Sequence, residues 1–489
     1  MPVPLQPGSA RAGCAAVRMN SRLPRFRLLI LALLVAAAAF FSYGFNGLKV
    51  TSDTLFVEHQ LDSERLVLDG LLHGPGPDGA MRLGKYDRPR FQNQDLLAHE
   101  LYAAKNRGGT FTEYQSQYGM QLVFWSWLAA LSDDSRFLQS ACALFMALVV
   151  AGFFVVLARE FSVRAALCFC ATLVFSPWVV IFARNLYWVE ATWFLPALVS
   201  FAWGKVALQS PRRFMVLLFL LFATLLTKFL CGYEYITTIV IAAFLPLAYY
   251  ATRLRLDAKR ALVQTVLFGV TAFLAFGVAA TLHVRKLGHG EGMQYERVVD
   301  IAKKRLATGD VDALAREACR NAPDLAACCD GYKKNYGDSL TCNPLTLVVR
   351  YLRMPHFLPW EDRIVPTWRE YVAIEEVTEQ MSLASLKGAL GIGPVRASLV
   401  AYKAFGLVAF PLFCLLAGAA SLWRGDRSFS LALVISALSP LSWFVLAKGH
   451  SYIHLHLNYV LWYLLFVPWA MLCLFQAAGE NKGVTDKAR

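Results

Sequence analysis

Apolar runs of about 20 residues recur along the whole chain, the length at which a helix crosses ~30 Å of hydrocarbon. No other feature constrains the fold as tightly, because inside lipid every backbone N–H and C=O must find its partner within the protein. Barrel strands would instead show short alternating segments, and none is evident. Composition agrees: 57% of the 489 residues are hydrophobic and 17% charged, which is not the balance of a soluble globular domain. The expected fold class is an all-α polytopic membrane protein.

The runs define ten expected spans: Leu28 to Phe45, Phe137 to Leu157, Ala165 to Phe182, Ala191 to Leu208, Phe214 to Phe229, Ile236 to Tyr250, Ala261 to His283, Ser398 to Trp423, Phe429 to Ala447 and Tyr459 to Gln476. The alternate loops REFSVR, QSPRR, TRLRLDAKR and RGDR each carry at least two Lys or Arg, as cytoplasmic loops should. Both termini (1–25 and 478–489) are then cytoplasmic, in the inner membrane. Spans one to seven form a core over 26–283 that includes an outer loop at 46–119. Residues 284–397 make one large extracytoplasmic loop, and 398–477 hold the last three spans. A cleaved signal peptide is the competing reading of span one, since AAAAF supplies small residues, and Met19 is an alternative start. The net charge of +14 sits largely in the short inner loops, so nucleic acid is not an expected partner.

In the first outer loop, Asp53 to His73 reads as an amphipathic helix with Leu61, Leu68 and Leu72 on one face and Gly74-Pro75 as its stop. A second short helix, Gln94 to Asn106, ends at Gly108-Gly109. Both suit the membrane surface. The large loop holds Cys319, Cys328, Cys329 and Cys342, which allow three connectivities. Pairing of the adjacent 328 and 329 is disfavoured. That leaves Cys319 with one of them and Cys342 with the other, two disulfides in all, with reduced thiols as the alternative.

Five polar stretches fall on the outer, periplasmic side of this topology: TSDTLFVEHQLD (Thr51 to Asp62), YQSQYG (Tyr114 to Gly119), ARNLYWVE (Ala183 to Glu190), KFLCGYEY (Lys228 to Tyr235) and KGHSYIHLHLNY (Lys448 to Tyr459). Ionisable groups at membrane level face protein, water or ligand. Asp53 serves either as a helix N-cap or as a general base for an acceptor hydroxyl. Glu58 and Asp62 read as a solvated face. Arg184 and Glu190, six residues apart, either pair with each other or leave the guanidinium for a phosphate. Tyr187, Trp188 and Trp193 fit an interfacial aromatic belt. Lys228 fits snorkelling or ligand charge, with Glu234 as a second carboxylate. His450 and His454 are spaced i,i+4, half of a zinc site, but with His456 they read better as hydrogen-bond partners of a phosphate or sugar, so no metal is expected.

No Walker loop, Rossmann fingerprint or G-x-S-x-G elbow is present, and no cofactor is expected. Carboxylates, cations and aromatics at one membrane face suit transfer from a donor that is already activated and lipid-bound.

In order and side, SDTLFVEHQLD, SQYGMQ, ARNLYWVE, GYEY and KGHSYIHLH resemble the GT-C superfamily of membrane glycosyltransferases, which includes protein O-mannosyltransferases and the lipid A aminoarabinose transferase. The resemblance implies a GT-C-like bundle, a polyprenyl-phosphate-linked sugar donor and a glycan or lipid-linked acceptor reached among membrane lipid. It makes Asp53 the catalytic carboxylate and places Arg184, Glu190, Lys228, Glu234, His450 and His454 around donor or acceptor. The chain departs from the pattern where O-mannosyltransferases carry Asp-Glu, since Asp53 is followed by Thr54, and it has no WWDYG-type motif. A polymerase or ligase using a polyprenyl diphosphate is the neighbouring alternative, and a transporter or flippase the non-enzymatic one. The lack of an internal repeat and the one-sided clustering speak against the last.

Overall fold

The structure is a computed structural model that describes residues 24–288, seven scattered positions between 295 and 319, and then 324–341, 343–352, 394–453 and 457–485. The chain begins with α1 (Arg25–Phe45) and a first-loop segment of α2 (Asp53–Glu58), α3 (Leu61–His73), β1 (Gly84–Asp87), α4 (Ala98–Ala103), β2 (Thr110–Glu113) and α5 (Met120–Ala129). The bundle continues through α6 (Ser135–Glu160), α7 (Val163–Val174), α8 (Pro177–Ala183), α9 (Ala191–Ala207), α10 (Pro211–Cys231), α11 (Ile236–Arg253) and α12 (Ala258–Leu287). After these come α13 (Leu325–Thr341), α14 (Pro344–Leu352), α15 (Pro394–Arg424), α16 (Arg427–Leu446), α17 (Lys448–Ile453), α18 (Val460–Tyr463) and α19 (Phe466–Thr485).

The chain is a mostly helical multi-pass membrane protein. Among the described residues six helices, α1, α6, α10, α11, α12 and α16, are long and apolar enough to cross a bilayer. A seventh span results if α7 and α8 count as one. That expected run is not straight: α8 starts at Pro177 with Ser176 as its side-chain cap, and the two axes bend by 69°. Proline lacks the N–H that would continue α7 and pushes its predecessor out of helical geometry. The expected last span is likewise broken, at Leu464 and Leu465 between α18 and α19.

Lipid-facing and packed sides can be read along α1. Ala32, Val35, Ala36, Ala39 and Tyr43 are buried, while Phe26, Leu29 and Leu33 stay exposed. The buried stripe of small residues lets α6 approach closely. The left-handed Asn46 ends the helix.

The first-loop segment departs from the expectation in three ways. The single amphipathic helix is two, because Gln60 adopts left-handed dihedrals (φ 58) between α2 and α3. An antiparallel hairpin, with Gly84 opposite Glu113 and Asp87 opposite Thr110, makes the protein not strictly all-α. The helix expected at 94–106 is only α4, while α5 and the turn to α6 had no expected counterpart. The anticipated leucine face does form, with Leu61, Leu68 and Leu72 all buried. Glycine is obligatory at Gly109 (φ 95), where a Cβ would lie 1.6 Å from the Asp87 carbonyl oxygen.

Buried charges lock the hairpin onto α3. Asp69 accepts from Arg88 Nη1 at 3.0 Å and Nη2 at 2.6 Å, from Arg65 Nε at 3.1 Å and from the Tyr86 amide at 2.9 Å. Arg65 and Asp95 extend the network outward.

In the large loop Cys319 and Cys328 form a disulfide. The second expected bridge is not made by Cys329, which is a buried free thiol packed with Ala315 and Cys319. Its position beside Cys328 turns it into that small core, and Cys342 lies outside the described residues.

Candidate active site

Four of the five stretches, spread from Thr51 to Tyr235 in sequence, meet in one continuous junction, and the fifth is joined to it by its described residues. The guanidinium of Arg184, at the end of α8, lies over the Phe56 ring of α2 at 4.2 Å. Asn185 Nδ2 donates to the Gln60 carbonyl at 3.4 Å, and the Leu186 amide donates to Glu64 Oε1 at 3.1 Å. Those contacts join the first stretch to the third. Tyr187 then joins the second: its hydroxyl donates to Gln117 Oε1 at 3.1 Å, and its carbonyl accepts from Gln121 at 3.1 Å.

Gly232 is where the fourth stretch meets the second. Lys228 Nζ donates to the Gly232 carbonyl at 2.7 Å, and a Cβ built on this glycine would fall 2.5 Å from Glu234 Oε2 and 2.7 Å from Gln117 Oε1. Its φ of 169° is ordinary extended backbone, so space selects glycine here. Tyr235 carries the contact onward. Its ring stacks on Trp188 at 5.8 Å and meets Trp193 and Trp443 edge-on, and its hydroxyl donates to the Leu457 carbonyl at 3.4 Å. The His450 ring packs edge-on against Trp443 at 5.9 Å. His454 and His456 lie outside the described residues.

Several expectations for single residues change. Asp53 is not the cap: Ser52 caps α2, its hydroxyl accepting from the Leu55 amide at 3.0 Å. Asp53 is the first helical residue, with a side chain 65% exposed, and Lys49 Nζ donates to both its oxygens at 2.6 and 2.7 Å. Hydrogen bonds from Lys49 and then Asn46 hold its carboxyl below the usual range, so it is ionised at neutral pH. Glu58 and Asp62 are exposed as anticipated.

Arg184 and Glu190 do not pair with each other. Glu190 is fully buried, and neither carboxylate oxygen has a hydrogen-bond partner among the described residues. Burial pushes its carboxyl well above the usual range. Lys228 does not snorkel outward but is buried. Nor do Tyr187, Trp188 and Trp193 form an interfacial belt, since all three are packed inside. The indole N–H groups of Trp188, Trp193 and Trp443 also lack partners among the described residues.

One acid escaped the sequence reading. Glu64 is buried on α3 and accepts from His99 Nε2 at 3.1 Å, Gln139 Nε2 at 3.0 Å and the Leu186 amide. Burial raises its carboxyl, but hydrogen bonding and charge from His99, the nearby Arg184 and the Leu186 amide together win, and the net shift is downward. The signal was present, because position 64 falls on the same helical stripe as Leu61, Leu68 and Leu72. His99 Nδ1 lies 2.9 Å from Ser135 Oγ, so this one carboxylate ties α3, α4, α6 and the loop after α8 together. His59 is buried against Phe182, and burial lowers it to about 3, which keeps it neutral. Lys286 was also missed; it lies 4.9 Å from the Tyr118 ring centre, at the edge of the second stretch.

The junction thus holds an exposed, ionised carboxylate at its rim, a buried lysine on a backbone carbonyl, a half-buried arginine over an aromatic ring, and an aromatic interior with polar groups that have no partner among the described residues. Compared with known proteins, the chain matches no family model, no curated protein and no solved structure.

Proposed function

We propose that the protein is a GT-C-like membrane glycosyltransferase that transfers a sugar, with inversion, from a polyprenyl-phosphate donor to a glycan or lipid-linked acceptor. In this reading the chain crosses the inner membrane ten times, both termini are cytoplasmic and the junction faces the periplasm. The observation that carries it is the convergence of the polar stretches on one end of the bundle, through Phe56–Arg184, Gln117–Tyr187, Trp188–Tyr235 and Trp443–His450.

The roles follow from chemistry. Asp53 takes the proton of the acceptor hydroxyl, whose oxygen attacks the anomeric carbon as the bond from that carbon to the phosphate oxygen breaks. The polyprenyl phosphate leaves with the electron pair, and Arg184 and Lys228 are the cations that neutralise it. The Lys49 pair must open before Asp53 can accept a proton. Glu190, whose burial disfavours the charged form, is suited to donate a hydrogen bond rather than to act as base, and the Trp188–Tyr235 stack offers apolar faces to the sugar or prenyl chain. Glu234, His450 and His454 remain assigned to hydroxyl or phosphate contacts.

The reading is tested by mass spectrometry of envelope glycans from a deletion strain. Loss of one sugar increment, restored by the wild-type chain and not by Arg184→Met, is the expected result. Unchanged glycans would refute it, and shortened polymers would favour the polymerase.

A further inference from the structure

We infer that a cavity beside α5 is a binding site for a zwitterionic phospholipid headgroup, one that carries a phosphate and a primary ammonium. The cavity measures about 290 Å³ and opens between the ends of α3, α4 and α5. Leu72 and Tyr102 line its apolar side; Lys105, Arg107, Ser126 and Asp133 supply its polar side. Its lining shares no residue with the junction of the polar stretches.

Two observations place it at headgroup depth. α6, one of the six bilayer-length helices, begins at Ser135, two residues beyond Asp133. That helix end marks a membrane boundary whichever side it faces. In addition, α5 and the turn after it expose Phe124, Trp127 and Leu131, at 44%, 72% and 74%. The spacing i, i+3, i+7 puts them on one stripe, as in a helix lying in the interface with its apolar face in the acyl region.

The charges select the headgroup. Lys105 Nζ and Asp133 Oδ2 pair at 2.7 Å, but both side chains are mostly exposed, so the pair opens at little cost. Arg107 is exposed and makes no ion pair with a described residue. Two cations fit the phosphate, and Asp133 fits an ammonium that can donate hydrogen bonds. The volume lies near the lower end of small-ligand sites, ~300–1,000 Å³, enough for a headgroup while the acyl chains run along the α5 stripe.

The test uses the full chain in lipid nanodiscs, with lipid retention read by native mass spectrometry for phosphatidylethanolamine, phosphatidylcholine and phosphatidylglycerol of identical acyl chains. Wild type should retain the ethanolamine lipid about tenfold better than the choline lipid, which cannot donate to Asp133, or the glycerol lipid, which has no cation. Arg107→Gln should lower retention of all three, and Asp133→Asn should abolish the preference while leaving the melting temperature unchanged. Equal retention of the three headgroups, or variants that behave as wild type, would overturn the site. Displacement by millimolar inorganic phosphate would identify a free anion as the ligand and overturn it equally.

Discussion

The α3–hairpin unit and the aromatic junction both bury charged groups, and they do so in opposite ways. In the first, Asp69 is surrounded by two arginines and an amide, so its charge is answered within the protein. In the second, Glu190 and three indole N–H groups are buried without partners among the described residues. Native proteins leave few buried polar groups unsatisfied, and each that persists is accounted for by an ordered water or ion, by strain or by a functional role. The first region answers its buried charge within the protein, and under the proposed function the second is the region that receives a ligand.

The contrast breaks most readily at Asp69. Asp69→Ala strands Arg88, whose side chain is 1% exposed, and should cost ~3–5 kcal/mol in unfolding measured in detergent. A loss below ~1 kcal/mol would mean that the hairpin is not held by this network.

Glu64→Gln should cost ~1–3 kcal/mol at pH 7, because it removes the charge that accepts from His99 and Leu186. Its folded pKa is depressed, so the stabilisation is present above the unfolded value of ~4.3 and is lost as pH falls through the folded one. The difference between wild type and variant should therefore begin to shrink as pH falls below the unfolded value and vanish once pH is below the folded one. A gap that stays constant with pH would assign Glu64 a packing role only.

Glu190→Gln sharpens the other side of the comparison. It removes no hydrogen bond and imitates the protonated form, so stability should change by less than ~1 kcal/mol while transfer falls. A large destabilisation would show that the residue is structural. Ser52→Ala should cost ~1 kcal/mol of local stability from the lost cap of α2 and leave the junction unaltered.

The long apolar helices were legible in the sequence because length and hydropathy dictate them, and so was the leucine face of α3. The break before Pro177 was written in the sequence too, but hydropathy averages across a proline. Glu64 was overlooked because neighbouring charges at Asp62 and Arg65 mask its place on the apolar stripe. Burial of Trp188, Trp193 and Lys228 depends on how distant loops stack, which local pattern does not encode. The cap at Ser52 rather than Asp53 is a one-residue boundary shift of the ordinary kind.

The most direct measurement is in vitro transfer from a labelled polyprenyl-phosphate sugar by wild type and Asp53→Asn, with melting temperature taken on the same preparations. Asn keeps the residue's place behind the Ser52 cap and an oxygen for the Asn46 hydrogen bond, and it gives up an exposed ion pair worth ~0–1 kcal/mol. Folding should be unchanged, while turnover should fall by the ~10²–10⁴-fold that a general base supplies. Wild-type turnover in Asp53→Asn, in a chain that melts normally, would contradict the account and move the base elsewhere in the junction.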